Sequence, residues 1–222
     1  TGNISFEETI AMAEKWFGPI QRRDVIKRNL IKEPEQLQER RETVERNVPV
    51  DAIYMAFHMS NRKDRDYYAY DMLSNLLSNG RSSRFIQNLV QEKKFFSNID
   101  AYISGSVEEG LFHISGKPVP SISLKDAEKA IWEELEAIKN SELPLNELDK
   151  VKNKYESEQI FSNMNYLNVA TNLAFFELLG NAEDINNEVE KYRSVDADHI
   201  QMVAKKTFTP NNSSTLYYKA KK

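Results

Sequence analysis

The chain has 222 residues, which is enough to bury a full hydrophobic core. Its net charge of −4 gives no bulk electrostatic reason to expect nucleic acid as a partner, and its apolar runs are too short for a membrane helix. The absence of cysteine excludes disulfides, thiolate nucleophiles and cysteine-based zinc sites, although it fits both cytosol and periplasm.

The first segment predicts a capped helix followed by a charged linker. Ser5 is placed to cap a helix that runs to about Phe17, and Gly18-Pro19 ends it. The N-terminal residues carry no basic region and no apolar signal core, so we expect the interior of a longer polypeptide. Residues 21–40 mix basic and acidic side chains, which favours a solvated interdomain linker over a nucleic-acid arm.

The middle of the chain predicts a sheet. A short strand is predicted over 41–46, and from Val50 to Met59 apolar residues alternate with small, polar or aromatic ones, which is typical of a half-buried antiparallel strand. A helix over 66–77 ends near Gly80, and Ser82 or Ser83 is placed to cap the next helix. The segments 97–105 and 110–117 predict a hairpin.

The last third predicts a block of helices and one closing strand. Ser123 and Asp126 have the spacing of a capping box, and the following apolar residues recur every three or four positions. The segment from Tyr166 to Phe176 is interpreted as core. The further helices are predicted over 145–163, 166–179, 183–193 and 196–207, and the strand over 213–219. This order predicts an α+β fold, an antiparallel sheet with helices packed on one face.

Few residues form a recognisable catalytic pattern. His58, His113 and His199 lie dozens of positions apart, whereas a zinc site normally has a close pair of ligands on one helix. Neighbouring carboxylates such as Glu108-Glu109 do not face the same point. The loop at Gly80 has one glycine where a phosphate-binding loop needs two flanking a lysine, so we interpret it as a turn. We expect no metal site in this chain.

One stretch carries a family resemblance. It runs from Leu76 through Gly80-Arg81-Ser82-Ser83-Arg84 and Leu89-Val90-Gln91-Glu92-Lys93 to Asn98-Ile99-Asp100-Ala101-Tyr102. The stretch resembles the C-terminal half of the pitrilysin/insulinase-type zinc peptidases, a family that includes the mitochondrial processing peptidase. The H-x-x-E-H zinc motif of that family does not occur here. The resemblance assigns Gly80, Ser83 and Arg84 a structural role.

The resemblance also implies an organisation into halves. Residues 1–20 resemble the terminal helix of a preceding homologous half, 21–40 a linker, and 41–222 the C-terminal peptidase-like domain. The expected partners are a zinc-bearing half, in cis or as a separate subunit, and a peptide or unfolded protein substrate. No cofactor is expected in this chain, and zinc is expected in the complementary half. The resemblance favours the periplasm or cell envelope over the cytoplasm.

Two substitutions leave the function open between alternatives. Active members of the family offer an arginine and a tyrosine to the substrate carbonyl, and the resemblance places Val90 and Ser97 at those positions. Neither side chain supplies a charge or a phenolic donor. The first hypothesis is a metal-free half that encloses and positions peptides for hydrolysis by a zinc-bearing half. The alternative is a non-peptidase scaffold or partner subunit of the same fold.

Overall fold

A computed structural model describes residues 1–24 and 33–221 of the chain. The strands are β1 (Arg40–Arg46), β2 (Ala52–Met59), β3 (Phe96–Ser104), β4 (Gly110–Pro118) and β5 (Ser213–Ala220). The helices are α1 (Phe6–Phe17), α2 (Asp66–Ser78), α3 (Leu124–Asn140), α4 (Leu145–Ser162), α5 (Tyr166–Leu179), α6 (Glu188–Arg193) and α7 (Ala197–Thr207), with a π-helix over Phe85–Glu92 and short 3-10 helices over Ala182–Asn187 and Pro210–Asn212.

The five strands form one sheet in the order β1-β5-β2-β4-β3. Three of its four ladders are antiparallel, and the predicted α+β fold class is confirmed. The expectation of a wholly antiparallel sheet is corrected at one edge, where β1 runs parallel to β5 with Arg40 opposite Ser214. Parallel neighbours need a long connection, and β2 to α7 lie between these two strands in the chain.

Alternate residues of the strands bury one face of the sheet. Ile53, Met55 and Phe57 of β2 are almost inaccessible to solvent and belong to the same core as apolar residues of α2, α3 and α7. The ring of Phe57 meets Trp132 of α3 edge to face at 5.7 Å and Phe208, just after α7, at 5.2 Å. The helices therefore cover this face, as the period-two pattern predicts.

We call the opposite side the open face. Cross-strand pairing places the intervening residues there, and the rings of Tyr54 and Tyr102 are left 43% and 50% exposed. The residues of the open face used below are Arg40, Glu42, Tyr54, Ala56, His58, Asp100, Tyr102, Ser104, Leu111, His113, Ser115, Ser214 and Leu216. This face carries small, polar and aromatic side chains together.

The predicted helix caps hold at two of three places. Ser5 and Ser123 accept hydrogen bonds from the backbone N–H of Glu8 and Asp126, as the sequence predicts. The prediction that Ser82 or Ser83 caps the next helix is wrong. Arg84 is the N-cap and makes no side-chain capping bond, because the Ser83 hydroxyl instead donates to the carbonyl of Gly80.

Helix α5 lies at the periphery of the fold. Tyr166 and Leu167 are 69% and 72% exposed, and only Phe176 of this helix is buried. The interpretation of Tyr166–Phe176 as core is therefore wrong for most of the segment, because α5 packs mainly against the short helix at Ala182–Asn187 rather than on the sheet. Among the described helices, none is long and apolar enough to cross a membrane.

Candidate functional site

The two positions singled out as substrate-binding candidates lie on either side of one tight turn. Val90 is on the π-helix and packs half-buried against the core, whereas Ser97 is exposed near the start of β3. The Ser97 hydroxyl donates to the carbonyl of Lys117, 3.0 Å away. Between them Lys94 adopts a left-handed backbone conformation with φ of 56°. Neither side chain offers a carbonyl-polarising donor here.

The positions assigned a structural role join α2 to α4. Gly80 has φ of 101°, a conformation that strains residues with a side chain. The hydroxyl of Ser83 closes the same turn by donating to the Gly80 carbonyl over 2.7 Å. Arg84 reaches Glu147 of α4, with Nε and Oε2 3.0 Å apart. The loop thus holds two helices together.

The outer edge of β3 is blocked by a side chain from α2. The Ser78 hydroxyl accepts from the Ala101 N–H over 2.8 Å and donates to the Ala101 carbonyl over 2.9 Å. Beside it lies a cavity of about 510 Å³ lined by residues of α2, β3 and β4, including Asp71 and Asp100. We call this cavity the edge cleft. While Ser78 holds these bonds, another strand cannot pair with β3 at Ala101.

A trough crosses the centre of the open face. Ala56 of β2 lies opposite His113 on one side and Ser214 on the other, so the floor of the trough is low. Tyr54 and Tyr102 stand at its ends, and the cavity has a volume of about 460 Å³. We call it the aromatic trough. Its walls are apolar ring faces, which suit a large apolar side chain.

His113 is fixed inside the aromatic trough. Its ring stacks on Tyr102 with centroids 4.9 Å apart, and its Nε2 lies 3.2 Å from the hydroxyl oxygen of Ser104. Burial lowers the pKa of His113, because the charged imidazolium loses hydration there. The neutral ring therefore predominates at neutral pH and extends the aromatic wall.

A second cavity of about 820 Å³ adjoins the aromatic trough at the turn between β3 and β4. The two cavities share Arg40, Ala56 and Ser214. The second is rimmed by the carboxylates Glu33, Glu108 and Glu109. We call it the acidic end of the trough. Sequence reasoning treated Glu108-Glu109 as turn charges, and only the strand pairing shows that they border a cavity.

The described residues do not fit a zinc site. His199 Nε2 lies 2.9 Å from Asp66 Oδ1 on the helix side, whereas His58 and His113 lie on the open face. Over residues 1–24 and 33–221, no group of three or more His, Asp or Glu side chains could hold a metal ion. The chemistry that this part of the chain can perform is therefore binding and positioning.

A buried polar network ties α6 to α2. Arg62 forms an ion pair with Glu188, and the Tyr68 hydroxyl donates to the same carboxylate over 3.1 Å. Beside it the Tyr192 hydroxyl donates to Asp71 over 2.6 Å, and burial raises the pKa of that carboxyl. The charges of the network are matched within the helix layer, which makes it a structural element rather than a binding site.

Comparison with known proteins places the chain. Residues 1–155 match the family described as the peptidase M16 inactive domain. The curated zinc protease PqqE of Helicobacter pylori is 23% identical over 98% of this chain, which spans about half of that relative, or 50% of its length.

Two solved structures share the fold. A protease from Helicobacter pylori superposes with a TM-score of 0.91 at 23% identity, over 98% of this chain and 53% of the other. The periplasmic protease PqqL of Escherichia coli superposes with a TM-score of 0.73 at 12% identity, over 99% of this chain and 25% of the other. Because the family profile covers more than half of the residues, the chain belongs to the peptidase M16 inactive domain family.

Proposed function

We propose that this chain is the metal-free half of a zinc metalloendopeptidase and that its open face forms part of the wall around a bound peptide. The observation that carries the proposal is the aromatic trough, a cavity of about 460 Å³ on the uncovered side of the sheet. A half-apolar surface of this kind is typical of a site that receives another molecule. Hydrolysis would take place in the zinc-bearing half.

The division into halves is a second part of the proposal. Helix α1 has a complete capping box yet buries no residue, and it exposes Phe6, Trp16 and Phe17. An isolated helix of this length is marginal in water, so its apolar side needs a partner surface. We assign residues 1–20 to the preceding zinc-bearing half, 21–40 to the linker and 41–222 to the metal-free domain. Residues 25–32 of that linker lie outside the described residues.

The location follows the relatives in the proposal. PqqL of Escherichia coli is described as a periplasmic protease and shares the fold. We therefore place the protein in the periplasm or cell envelope, where unfolded peptides are the substrate class. The absence of cysteine is compatible with this compartment.

The test is cleavage of a quenched fluorescent peptide by the native full-length protein that contains this chain, with and without a metal chelator. We expect cleavage that the chelator abolishes and that added zinc restores. If a folded assembly cleaves no peptide under any metal condition, the proposal is wrong and the alternative, a scaffold or partner subunit of the same fold, takes its place.

Val90 and Ser97 remain proposed positions near the bound peptide. Because the Ser97 hydroxyl already donates to Lys117, we expect Ser97→Ala to change the rate of peptide hydrolysis less than twofold. The matched control is Ser157→Ala, whose hydroxyl donates to Asn153 within α4. A loss of tenfold or more at Ser97 alone would give this hydroxyl a direct role in catalysis.

A further inference from the structure

We propose that the aromatic trough and its acidic end together form a subsite for two side chains of one extended peptide, a large apolar residue and a basic residue two positions away. This inference rests on the proposed function and specifies the substrate class. It commits to one occupant, a peptide segment of the type Phe-Xaa-Arg or its reverse.

The shape of the trough supports the apolar side chain. The floor consists of Ala56 with Ser214 and Ser115 nearby, so space is left above the sheet where larger residues would fill it. Tyr54 and the stacked pair Tyr102–His113 provide ring faces on opposite sides. A Phe or Leu side chain entering this space would leave water on several sides, which is the main source of affinity at such sites.

Charge complementarity supports the basic side chain. The acidic end carries three carboxylates, Glu33, Glu108 and Glu109, against the single guanidinium of Arg40. The remaining negative charge attracts Lys or Arg and disfavours Asp or Glu. The apolar part and the acidic part are continuous, because both cavities are lined by Ala56 and Ser214.

The strand geometry sets the spacing. Ala56 and His58 are successive open-face residues of β2, one in each part of the site, and lie two residues apart along the strand. Two residues of a strand span about 6.7 Å, which is also the spacing of side chains i and i+2 on one side of an extended peptide. An extended peptide can therefore place its apolar residue over Ala56 and its basic residue over His58.

The experiment measures peptide affinity by fluorescence anisotropy in the native full-length protein, with zinc removed by a chelator so that the probe is not cleaved. The probes are a labelled peptide with Phe-Ser-Arg at its centre, and variants in which Ser replaces Phe or Glu replaces Arg. We expect each change to weaken binding about tenfold, which corresponds to about 1.4 kcal/mol. Equal affinity for all three peptides would overturn the proposal.

Protein variants assign the effect to the site. We expect Ala56→Leu, which fills the floor, and Tyr102→Ser, which removes one wall, to weaken binding of the Phe-Ser-Arg probe about tenfold and to abolish the preference for Phe. Glu108→Lys is expected to abolish the preference for Arg over Glu. Should Ala56→Leu fail to fold, Tyr102→Ser carries the test, because its ring is half exposed.

Matched controls lie away from the open face. Tyr166→Ser removes an exposed tyrosine of α5, and Glu183→Lys reverses an exposed charge after α5; neither is expected to change affinity. Equal weakening by controls and site variants would overturn the proposal, as would full retention of affinity in all site variants. Such retention is also the outcome expected if a helix of the zinc-bearing half covers the open face.

The result is separable from that of the proposed function. Zinc-dependent hydrolysis by the same preparation reports on the peptidase, whereas anisotropy in chelator reports on the subsite. Selective binding without hydrolysis would retain the subsite and reject the peptidase. Hydrolysis without selective binding would do the reverse.

Discussion

The two faces of the sheet are made from alternate residues of the same strands, yet they differ in what they contact. On the covered face Phe57 is 0% exposed and packs against rings from α3 and the end of α7. On the open face Tyr54, three positions earlier, is 43% exposed. The covered face supplies the hydrophobic energy of folding, so the residues of the open face are free to be chosen for binding.

The largest expected effect tests this division directly. Phe57→Ala should lower the free energy of unfolding by about 4 kcal/mol, because it leaves a cavity in a closely packed core. Tyr54→Ala on the same strand should change it by about 0.5 kcal/mol or less, as exposed positions usually do. Urea denaturation of both variants, followed by circular dichroism, measures the difference. Similar losses in the two variants would show that the open face is also part of the folding core.

The comparison extends to charge. Glu188→Ala should cost about 3 kcal/mol, because it leaves the buried guanidinium of Arg62 without its counter-ion. Glu42→Ala on the open face should leave the free energy of unfolding unchanged within about 0.5 kcal/mol. The same denaturation assay decides. A negligible effect of Glu188→Ala would mean that water reaches Arg62 and that α6 is not held by this ion pair.

The covered face was largely predictable from the sequence, because it depends on local patterns. The alternation from Val50 to Met59 predicts which side chains of β2 are buried, and Ser5 and Ser123 predict two helix starts. These signals arise within a few residues of one another. The α5 segment misled because a helix can be rich in apolar residues and still lie at the periphery.

The open face could not be predicted in the same way. Its aromatic trough exists because β5 inserts between β1 and β2, which no local pattern specifies. The Arg62–Glu188 pair joins positions 126 residues apart, and the Ser78 bonds to Ala101 span 23. Only the family resemblance drew attention to Val90 and Ser97, and it gave no register for the strands around them.

The edge of β3 gives a smaller test between the two faces. Ser78→Ala removes both hydrogen bonds to the Ala101 backbone and should cost about 1–2 kcal/mol. The amide of Ala101 should then exchange with solvent at least tenfold faster in hydrogen-exchange measurements. Ser115→Ala, on the open face, is the matched control and should alter neither quantity. Unchanged exchange at Ala101 would show that the edge is protected by something other than Ser78.

The smallest effects concern two carboxylates of α2 that lie on the helix side. Burial tends to raise the pKa of Asp66, but hydrogen bonds from His199 and Lys206 outweigh it and lower the pKa below its ordinary value of 3.8. The resulting stability is present above that value and is lost as the pH falls through the lowered pKa. Burial raises the pKa of Asp71 despite the hydrogen bond from Tyr192, so its contribution falls as the pH rises above 3.8.

The substitutions Asp66→Asn and Asp71→Asn should therefore act in opposite directions. Asp66→Asn should lower the free energy of unfolding at neutral pH and flatten its decline in acid. Asp71→Asn should raise it at neutral pH, because the asparagine still accepts from Tyr192 without carrying a buried charge. Denaturation measured between about pH 3 and pH 7 separates the two slopes. If both variants shift the profile in the same direction, the two carboxylates share one environment and burial does not distinguish them.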